Sequence, residues 1–251
     1  MAGHSHWAGI KHKKALIDNK RGKVWSKISK ALIVAAKMGG GDPSMNPRLR
    51  VPLADARAAR MPKDNIDRAI KKGTGELDGG EVESILYEGY GPAGVAVMCD
   101  IFTDNRNRTA PEIRKIFEKY GGKLGSTGCV AYLFERKGLL VLSADAVVED
   151  LLMDVAIEAG ADDVRDRSGK FEVTCDPERF ADILEAVEKA GWEPEVKEIT
   201  RIPITTVVLD VEHGRGVLKL LEELDDHDDV QNVAANFDIP DDVMAAVEAE
   251  A

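Results

Sequence analysis

The first fourteen residues carry the densest set of side chains with chemical potential. They comprise His4, His6, Trp7, Lys11, His12, Lys13 and Lys14. Three closely spaced histidines are a possible transition-metal set, but no Cys, Asp or Glu lies nearby to complete the coordination, so we predict no metal site. Lysine and histidine side chains suit phosphate oxygens better, and an indole such as that of Trp7 can stack on an unpaired base. This segment is therefore predicted to bind nucleic acid.

Two more basic clusters follow within the next sixty residues. The first contains Lys20, Arg21, Lys23 and Lys27, and the second contains Lys63, Arg68, Lys71 and Lys72. Arg68 and Lys72 are four residues apart and share one face of a helix. Clusters of cations without Asn or Gln at base-reading positions favour contacts to the phosphate backbone, which distinguish poorly between DNA and RNA. We predict that both clusters contact nucleic acid.

A further basic patch lies at Arg106 and Arg108, next to the start of a predicted helix. Between Arg106 and Lys123 the sequence has six basic residues and two acids. The N-terminus of a helix favours anions, so these arginines are candidates for a second nucleic-acid contact. An equally good interpretation is that they fasten their loop to neighbouring carboxylates. The sequence leaves both open.

The charge distribution connects these clusters. The chain has 251 residues and a formal net charge of −11. Residues 1–75, which we call the basic arm, have 17 Lys and Arg against five acids, a net charge of +12, and the remainder has a net charge of −23. Such asymmetry indicates a polyanionic partner, and the acidic remainder would be repelled by phosphates. We therefore expect only one end of the molecule to touch the nucleic acid.

Signatures of enzymes and membrane proteins are missing from the sequence. It contains no Walker A loop, G-x-S-x-G, H-E-x-x-H or C-x-x-C motif. The three cysteines are far apart in apolar segments, which is typical of buried thiols, and the Asp225–Asp229 run is predicted to be a solvated turn. We predict a non-enzymatic protein without metal or cofactor. Because no apolar stretch has the length of a membrane span or the pattern of a signal peptide, we expect a cytoplasmic protein.

The basic clusters of the arm are predicted to lie on three helices. Apolar residues recur at helical spacing from Val24 to the glycines at 39–41. A second helix is expected between Pro47 and Arg60, and it must either begin near Val51 or bend at Pro52. The third begins after Pro62 and ends at Gly73.

The rest of the chain is predicted to mix strands and helices. Strands are expected at 84–87, 94–102 and 129–134, with a helix opened by a capping box of Thr109 and Glu112. Residues 133–201 show the order βαββαβ, which is that of a ferredoxin-like unit. The later strands, at 204–209 and 230–237, are expected to complete the first sheet. The predicted fold is α+β and multi-domain, with a basic helical domain (1–80), a discontinuous α+β domain (81–132 and 204–240), an inserted ferredoxin-like domain (133–203) and an acidic tail (241–251).

Several long motifs occur in an order that is specific to one family. They are Ala2-Gly3-His4-Ser5, Ile10-Lys11-His12-Lys13-Lys14, Lys20-Arg21-Gly22-Lys23, Asn46-Pro47-Arg48-Leu49-Arg50, Pro62-Lys63-Asp64-Asn65-Ile66, Tyr87-Glu88-Gly89-Tyr90-Gly91-Pro92, Thr103-Asp104-Asn105-Arg106-Asn107-Arg108-Thr109 and Gly121-Gly122-Lys123-Leu124-Gly125. The chain resembles the YebC family over almost its whole length. Ala93, where the family usually has Gly, and Pro52 are small departures from its pattern.

The resemblance implies a three-domain fold and a non-enzymatic factor that regulates gene expression. The family is catalogued as probable DNA-binding transcriptional regulators. Other members act in translation at the ribosome, where they help synthesis through proline-rich stretches. DNA and ribosomal RNA, with the ribosome itself, are therefore the rival partners that the resemblance implies, and we expect a monomer.

Two hypotheses of other classes compete with a nucleic-acid-binding regulator. One is an enzyme that holds a phosphorylated small substrate between Arg106, Arg108 and the glycine-rich loop at 125–128. The other is an adaptor whose acidic surface holds a basic protein. An enzyme would bind its small ligand without the basic arm, whereas a regulator would depend on that arm.

Overall fold

The structure is a computed structural model, and it describes residues 21–78, 80–167 and 169–249. The helices in these ranges are α1 (Arg21–Gly39), α2 (Pro47–Ala58), α3 (Lys63–Thr74), α4 (Arg106–Lys119), α5 (Glu149–Glu158), α6 (Phe180–Lys189), α7 (Val211–Asp225) and α8 (Asp241–Ala249). The strands are β1 (Glu83–Tyr90), β2 (Ala96–Thr103), β3 (Lys123–Leu124), β4 (Phe134–Ser143), β5 (Asp163–Arg167), β6 (Lys170–Cys175), β7 (Val196–Pro203), β8 (Val207–Val208), β9 (Val230–Ala235) and β10 (Phe237–Asp238). None of the helices in these ranges has the length and apolar character needed to cross a membrane. The predicted α+β class is confirmed.

Helices α1, α2 and α3 pack around a small apolar core. Leu32, Leu49 and Ala56 are fully buried in it. Helix α2 begins at Pro47, where a proline fits the first turn, and continues through the buried Pro52. The alternative of a start near Val51 was therefore wrong. The buried side chain of Asn46 holds the end of α1, since its amide donates to the carbonyl oxygens of Ala35 and Gly40, both at 2.8 Å.

The crossing of α1 and α3 depends on Gly73. A Cβ atom at this position would lie 2.7 Å from the Cβ of Ala36 and closer still to the carbonyl oxygen of Ile33. The two backbones can approach this closely only because residue 73 has no side chain.

Replacing Gly73 by alanine is expected to lower the free energy of unfolding by about 1–2 kcal/mol, because overpacking would outweigh the better helix propensity of alanine. Gly22→Ala on α1 is the matched control, since a Cβ there meets no atom within 4 Å. Urea denaturation should show the control unchanged or slightly stabilised. Equal stability of the two variants would contradict the close approach.

A four-stranded antiparallel sheet forms the centre of the molecule. Its strand order is β3-β1-β2-β9, so residues 230–235 lie beside a strand more than a hundred residues earlier in the chain. Helices α4 and α7 cover one face of this sheet and bury Phe117, Leu220 and Leu224 against Val97 and Cys99. A smaller apolar cluster, which includes Met98, Val130 and Phe134, covers the other face.

A second antiparallel sheet has the order β5-β6-β4-β7. With α5 and α6 it gives βαββαβ, the ferredoxin-like order predicted for residues 133–201. Leu140, Leu142 and Phe171 of the sheet pack against Leu152 and Ile183 of the helices. The side chain of Arg201 on β7 is ion-paired with Asp100 on β2, which joins this sheet to the central one.

Three local expectations were wrong. The capping box is absent, because Asn105 caps α4 by accepting a hydrogen bond from the Arg108 amide at 3.1 Å. Residues 129–134 do not form a strand; their centre is a short 3₁₀ turn at Ala131–Leu133, where backbone N–H groups are bound by a carboxylate instead of a neighbouring strand. Residues 204–209 do not complete the first sheet, because β8 pairs in parallel with β10 in a separate two-stranded sheet.

The departure at Ala93 has a conformational consequence. Ala93 has a φ of 55°, in the left-handed region that favours glycine. Ala93 therefore has a backbone conformation that is less favourable for a residue with a Cβ atom than for glycine.

Candidate nucleic-acid interface

The predicted site residues fall into three groups by position. His4, His6, Trp7, Lys11, His12, Lys13, Lys14 and Lys20 lie outside the described residues, and Arg21 is described only by its backbone. Lys63, Arg68, Lys71 and Lys72 lie together on α3. Lys23, Lys27, Arg106 and Arg108 lie where α1 and α4 approach the C-terminal end of α7.

The four cations of α3 lie away from its apolar face. Ile66, Ala69 and Ile70 turn towards α1, whereas Lys63, Arg68 and Lys71 are exposed and Lys72 is half-buried. Within the described part of the chain, none of the four has a carboxylate oxygen within 4.0 Å, although Asp64 and Asp67 are on the same helix. Their charges are therefore available to an external anion.

Helix α2 and the turn after it add cations that the sequence did not single out as site residues. Arg48, Arg50, Arg57 and Arg60 are exposed. Arg50 donates to the carbonyl oxygens of Pro43 and Ser44, at 2.9 and 3.3 Å, and not to a carboxylate. The signal for them was the arm's surplus of arginine, and their exposure shows that they face solvent as three of the four cations of α3 do. We call these four arginines and the four cations of α3 the α2–α3 basic surface.

The lysines of α1 form hydrogen bonds within the molecule. Lys23, Lys27 and Lys30 recur along one side of the helix, and each ammonium group donates to a backbone carbonyl oxygen at the end of α7. Lys23 donates to the carbonyl oxygen of Asp226 at 3.1 Å, Lys27 to that of Asp225, and Lys30 to that of Asp228 at 3.0 Å. A helix C-terminus presents unpaired carbonyl groups and partial negative charge, so it is a good site for three cations.

The carboxylate of Asp229 is the centre of this contact. It is 1% exposed and accepts from Lys30 of α1, from the guanidinium of Arg108 at 3.0 Å, and from the hydroxyls of Thr103 at 3.1 Å and Thr109 at 2.6 Å. The prediction of a solvated turn is therefore wrong for Asp229. Burial alone would raise the pKa of Asp229, but the contacts with Lys30, Thr109 and Arg108 outweigh it and hold the pKa well below its usual range.

This arrangement separates the two arginines of the Thr103–Thr109 motif. Arg108 is bound to Asp229 and to Asp104, at 3.2 Å, so it fastens its loop to neighbouring carboxylates. Arg106 is exposed in the first turn of α4 and has no carboxylate oxygen within 4.0 Å among the described residues. Only Arg106 of the pair has a side chain that remains available to an anion.

A second buried carboxylate shapes the loop at residues 125–131. Glu88 is 2% exposed, and it accepts from the backbone N–H groups of Gly128 at 2.6 Å, and of Val130 and Ala131, both at 2.9 Å. Burial opposes the charge of Glu88, but the three backbone donors outweigh it and lower its pKa. The loop therefore has a fixed conformation although its tip, at Ser126 and Thr127, is exposed.

The thiols are not activated. Cys99 is fully buried and Cys175 is 1% exposed. Burial raises the pKa of Cys99 and raises that of Cys175 to about 11. A thiol of this kind is protonated at neutral pH and is a poor nucleophile.

Comparison with known proteins identifies the family. Residues 5–76 match the model of the TACO1/YebC protein N-terminal domain, and residues 82–237 match that of the TACO1/YebC second and third domain. A probable transcriptional regulatory protein of Rhodopirellula baltica is 60% identical over 96% of this chain and 98% of its own length. A protein of the same description from Geobacter sulfurreducens is 55% identical over 97% of this chain and 98% of its own.

A solved structure is also similar. The crystal structure of a conserved hypothetical protein from Aquifex aeolicus has 50% sequence identity and a TM-score of 0.84, and the match covers 94% of this chain and 98% of that one. The resemblance drawn from the sequence motifs is confirmed: the chain belongs to the TACO1/YebC family.

Proposed function

We propose that the protein is a non-enzymatic regulator of gene expression that binds nucleic acid through its basic arm. The observation that carries the proposal is the α2–α3 basic surface, whose cations are exposed except for the half-buried Lys72 and have no carboxylate partner among the described residues. Several cations of the acidic remainder, among them Lys137, Lys170 and Lys197, are instead paired with acids. Unpaired cations on one side of a molecule attract phosphates and release their counterions.

Two targets fit this surface. The names of the relatives from Rhodopirellula baltica and Geobacter sulfurreducens favour DNA and a role in transcription. The residue types favour RNA and a role in translation at the ribosome, because α3 carries four Lys and Arg against one half-buried Asn and so favours contacts to phosphates over base readout. Contacts made by cations alone follow the shape of the phosphate backbone, which is the usual way of binding folded RNA.

A salt titration tests the binding surface. Changing Lys63, Arg68, Lys71 and Lys72 together to alanine is expected to weaken binding to labelled nucleic acid and to reduce the slope of log K against log salt. The reduction should be roughly 0.7–0.9 for each phosphate that the variant no longer neutralises. The matched control changes Lys137, Lys170, Lys189 and Lys197, four ion-paired lysines, so that net charge falls equally. Equal losses of affinity in both variants, or no binding by the wild type, would contradict the proposal.

The target is tested by sedimentation. Full-length protein in cell lysate is centrifuged through a gradient at low and high salt. The variant with alanine at Lys63, Arg68, Lys71 and Lys72, called the arm variant, is centrifuged alongside. Migration with ribosomes that is abolished in the variant supports the translation role. If the protein stays at the top of the gradient and shifts a promoter fragment in a gel, the transcription role stands instead.

A further inference from the structure

Two tyrosines are unusually exposed at one corner of the central sheet. Tyr90 ends β1 and is 38% exposed, and Tyr132 lies in the 3₁₀ turn at Ala131–Leu133 and is 69% exposed. The two residues lie close together, because the Tyr90 hydroxyl binds the carbonyl oxygen of Cys129, three residues before Tyr132 in the chain. Exposed apolar rings that form a contiguous patch can mark an interaction site.

Both rings are mounted on rigid backbone. The hydroxyl of Tyr90 donates to the carbonyl oxygen of Cys129 at 2.9 Å, and Glu88 binds the amides on either side of that residue. Two glycines let the chain pack closely here. A Cβ at Gly122 would lie 2.5 Å from the Tyr90 carbonyl oxygen, and a Cβ at Gly125 would lie 2.5 Å from the Cys129 sulfur. Rings held in this way lose little conformational freedom when a flat ligand stacks on them.

The surroundings of the tyrosines are polar and carry a positive charge. Lys123 pairs with Tyr90 across the β1–β3 ladder, and its exposed ammonium group has no carboxylate oxygen within 4.0 Å among the described residues. Ser126 and Thr127 add exposed hydroxyls. Two aromatic rings, a cation and hydroxyl groups match the needs of a single strand, whose bases stack while its phosphates are neutralised.

We propose that Tyr90, Tyr132 and Lys123 form a stacking platform for unpaired nucleotides of a single-stranded nucleic acid. The proposal rests on the nucleic-acid-binding function proposed above and adds a contact outside the basic arm. It replaces the expectation that only one end of the molecule touches the polymer. The arm supplies affinity for phosphates, and the platform supplies a preference for unpaired bases over duplex.

The test measures the affinity of full-length protein for an unstructured RNA of about 12 nucleotides, and for the duplex of the same sequence, by fluorescence anisotropy at about 0.15 M salt. Changing both tyrosines to leucine should weaken single-strand binding roughly 5- to 100-fold and leave duplex binding within about twofold. Changing both to phenylalanine keeps the rings and should retain most of the affinity. Tyr132→Leu alone, at an exposed position, should give part of the loss without risk to the fold. Lys123→Ala should reduce the salt slope by about 0.7.

Each outcome decides between the two proposals. If the leucine variants bind the single strand like the wild type while the arm variant loses binding, the platform is overturned and the proposed function stands. If the double leucine variant loses single-strand and duplex binding equally, the preference for unpaired bases is overturned. If the wild type binds neither nucleic acid, both proposals fail.

Discussion

Replacing Asp229 by asparagine is expected to lower the free energy of unfolding by roughly 3–4 kcal/mol. The substitution keeps the shape of the side chain but removes its charge and turns one acceptor into a donor. Lys30, Arg108, Thr103 and Thr109 would then point hydrogen-bond donors at a group that cannot accept from all of them. Removing one partner of a buried ion pair is costly because the remaining charges lose their compensation. Urea denaturation measures the loss of stability.

The effect has a defined pH dependence. Burial opposes the charge of Asp229, but its contacts with Lys30, Thr109 and Arg108 outweigh burial and lower its pKa in the folded protein. Its stabilising contribution is therefore present in full above the unfolded pKa of about 3.9 and is lost as the pH falls below that value towards the folded pKa. The difference in stability between the wild type and Asp229→Asn should shrink over that acidic range. A difference that stays constant down to about pH 3 would contradict this account.

Two further variants show whether the loss of stability comes from the contact between α1 and α7. Asp228→Asn alters an exposed neighbour whose backbone carbonyl, not its carboxylate, binds Lys30, so stability should change by no more than about 0.5 kcal/mol. A double-mutant cycle of Lys30→Met with Asp229→Asn should give a coupling energy of about 1–3 kcal/mol. Additive effects of the two substitutions would show that they do not interact.

Replacing Glu88 by glutamine is expected to cost about 2–3 kcal/mol of unfolding free energy. Glutamine places an NH₂ group where the carboxylate now accepts backbone hydrogen bonds, so at least one N–H among Gly128, Val130 and Ala131 loses its acceptor. A hydrogen bond to a charged group is worth about 1.5–3 kcal/mol, and a buried donor left without a partner adds to the cost. Native-state hydrogen exchange should become faster at these three amides.

Glu83→Gln is the matched control for this prediction. Glu83 lies on the same strand, β1, but it is exposed and accepts no backbone hydrogen bond among those described. Its replacement should leave both stability and amide exchange near the wild-type values. If Glu88→Gln exchanges and unfolds like this control, Glu88 does not hold the loop. Because Tyr132 directly follows this loop, Glu88→Gln should also weaken single-strand binding if the stacking platform exists.

Each of the two buried carboxylates connects a sequence motif to a distant segment of the chain. Residues 103–109 supply Thr103, Arg108 and Thr109 to Asp229, whereas residues 87–92 supply Glu88 to the loop after Lys123. Neither carboxylate lies in a position to act on a bound substrate. Both instead fix the positions of surfaces: the first attaches α1 to the end of α7, and the second sets the loop that directly precedes an exposed aromatic ring.

The fold class and many of the elements could be predicted from the sequence alone. The order of strands and helices predicted the ferredoxin-like unit at 133–201, whose β5–β6 hairpin turns locally because Gly169 adopts a φ of 83°. Apolar spacing likewise located the helices of the arm, and the charge totals located the surplus of cations. These features depend on near neighbours in the chain, which a sequence displays directly.

Only the tertiary structure decided which cations remain available. Lys27 and Lys71 look equivalent in the sequence, as basic residues on amphipathic helices of the same arm. Lys27 binds a carbonyl oxygen at the end of α7, almost two hundred residues away, whereas Lys71 is exposed. Asp229 was in the same way indistinguishable from its acidic neighbours until α1 and α4 were seen to enclose it. The side of a helix that packs is visible in its periodicity, but what packs against it is set by contacts between distant segments, and those contacts leave no local pattern.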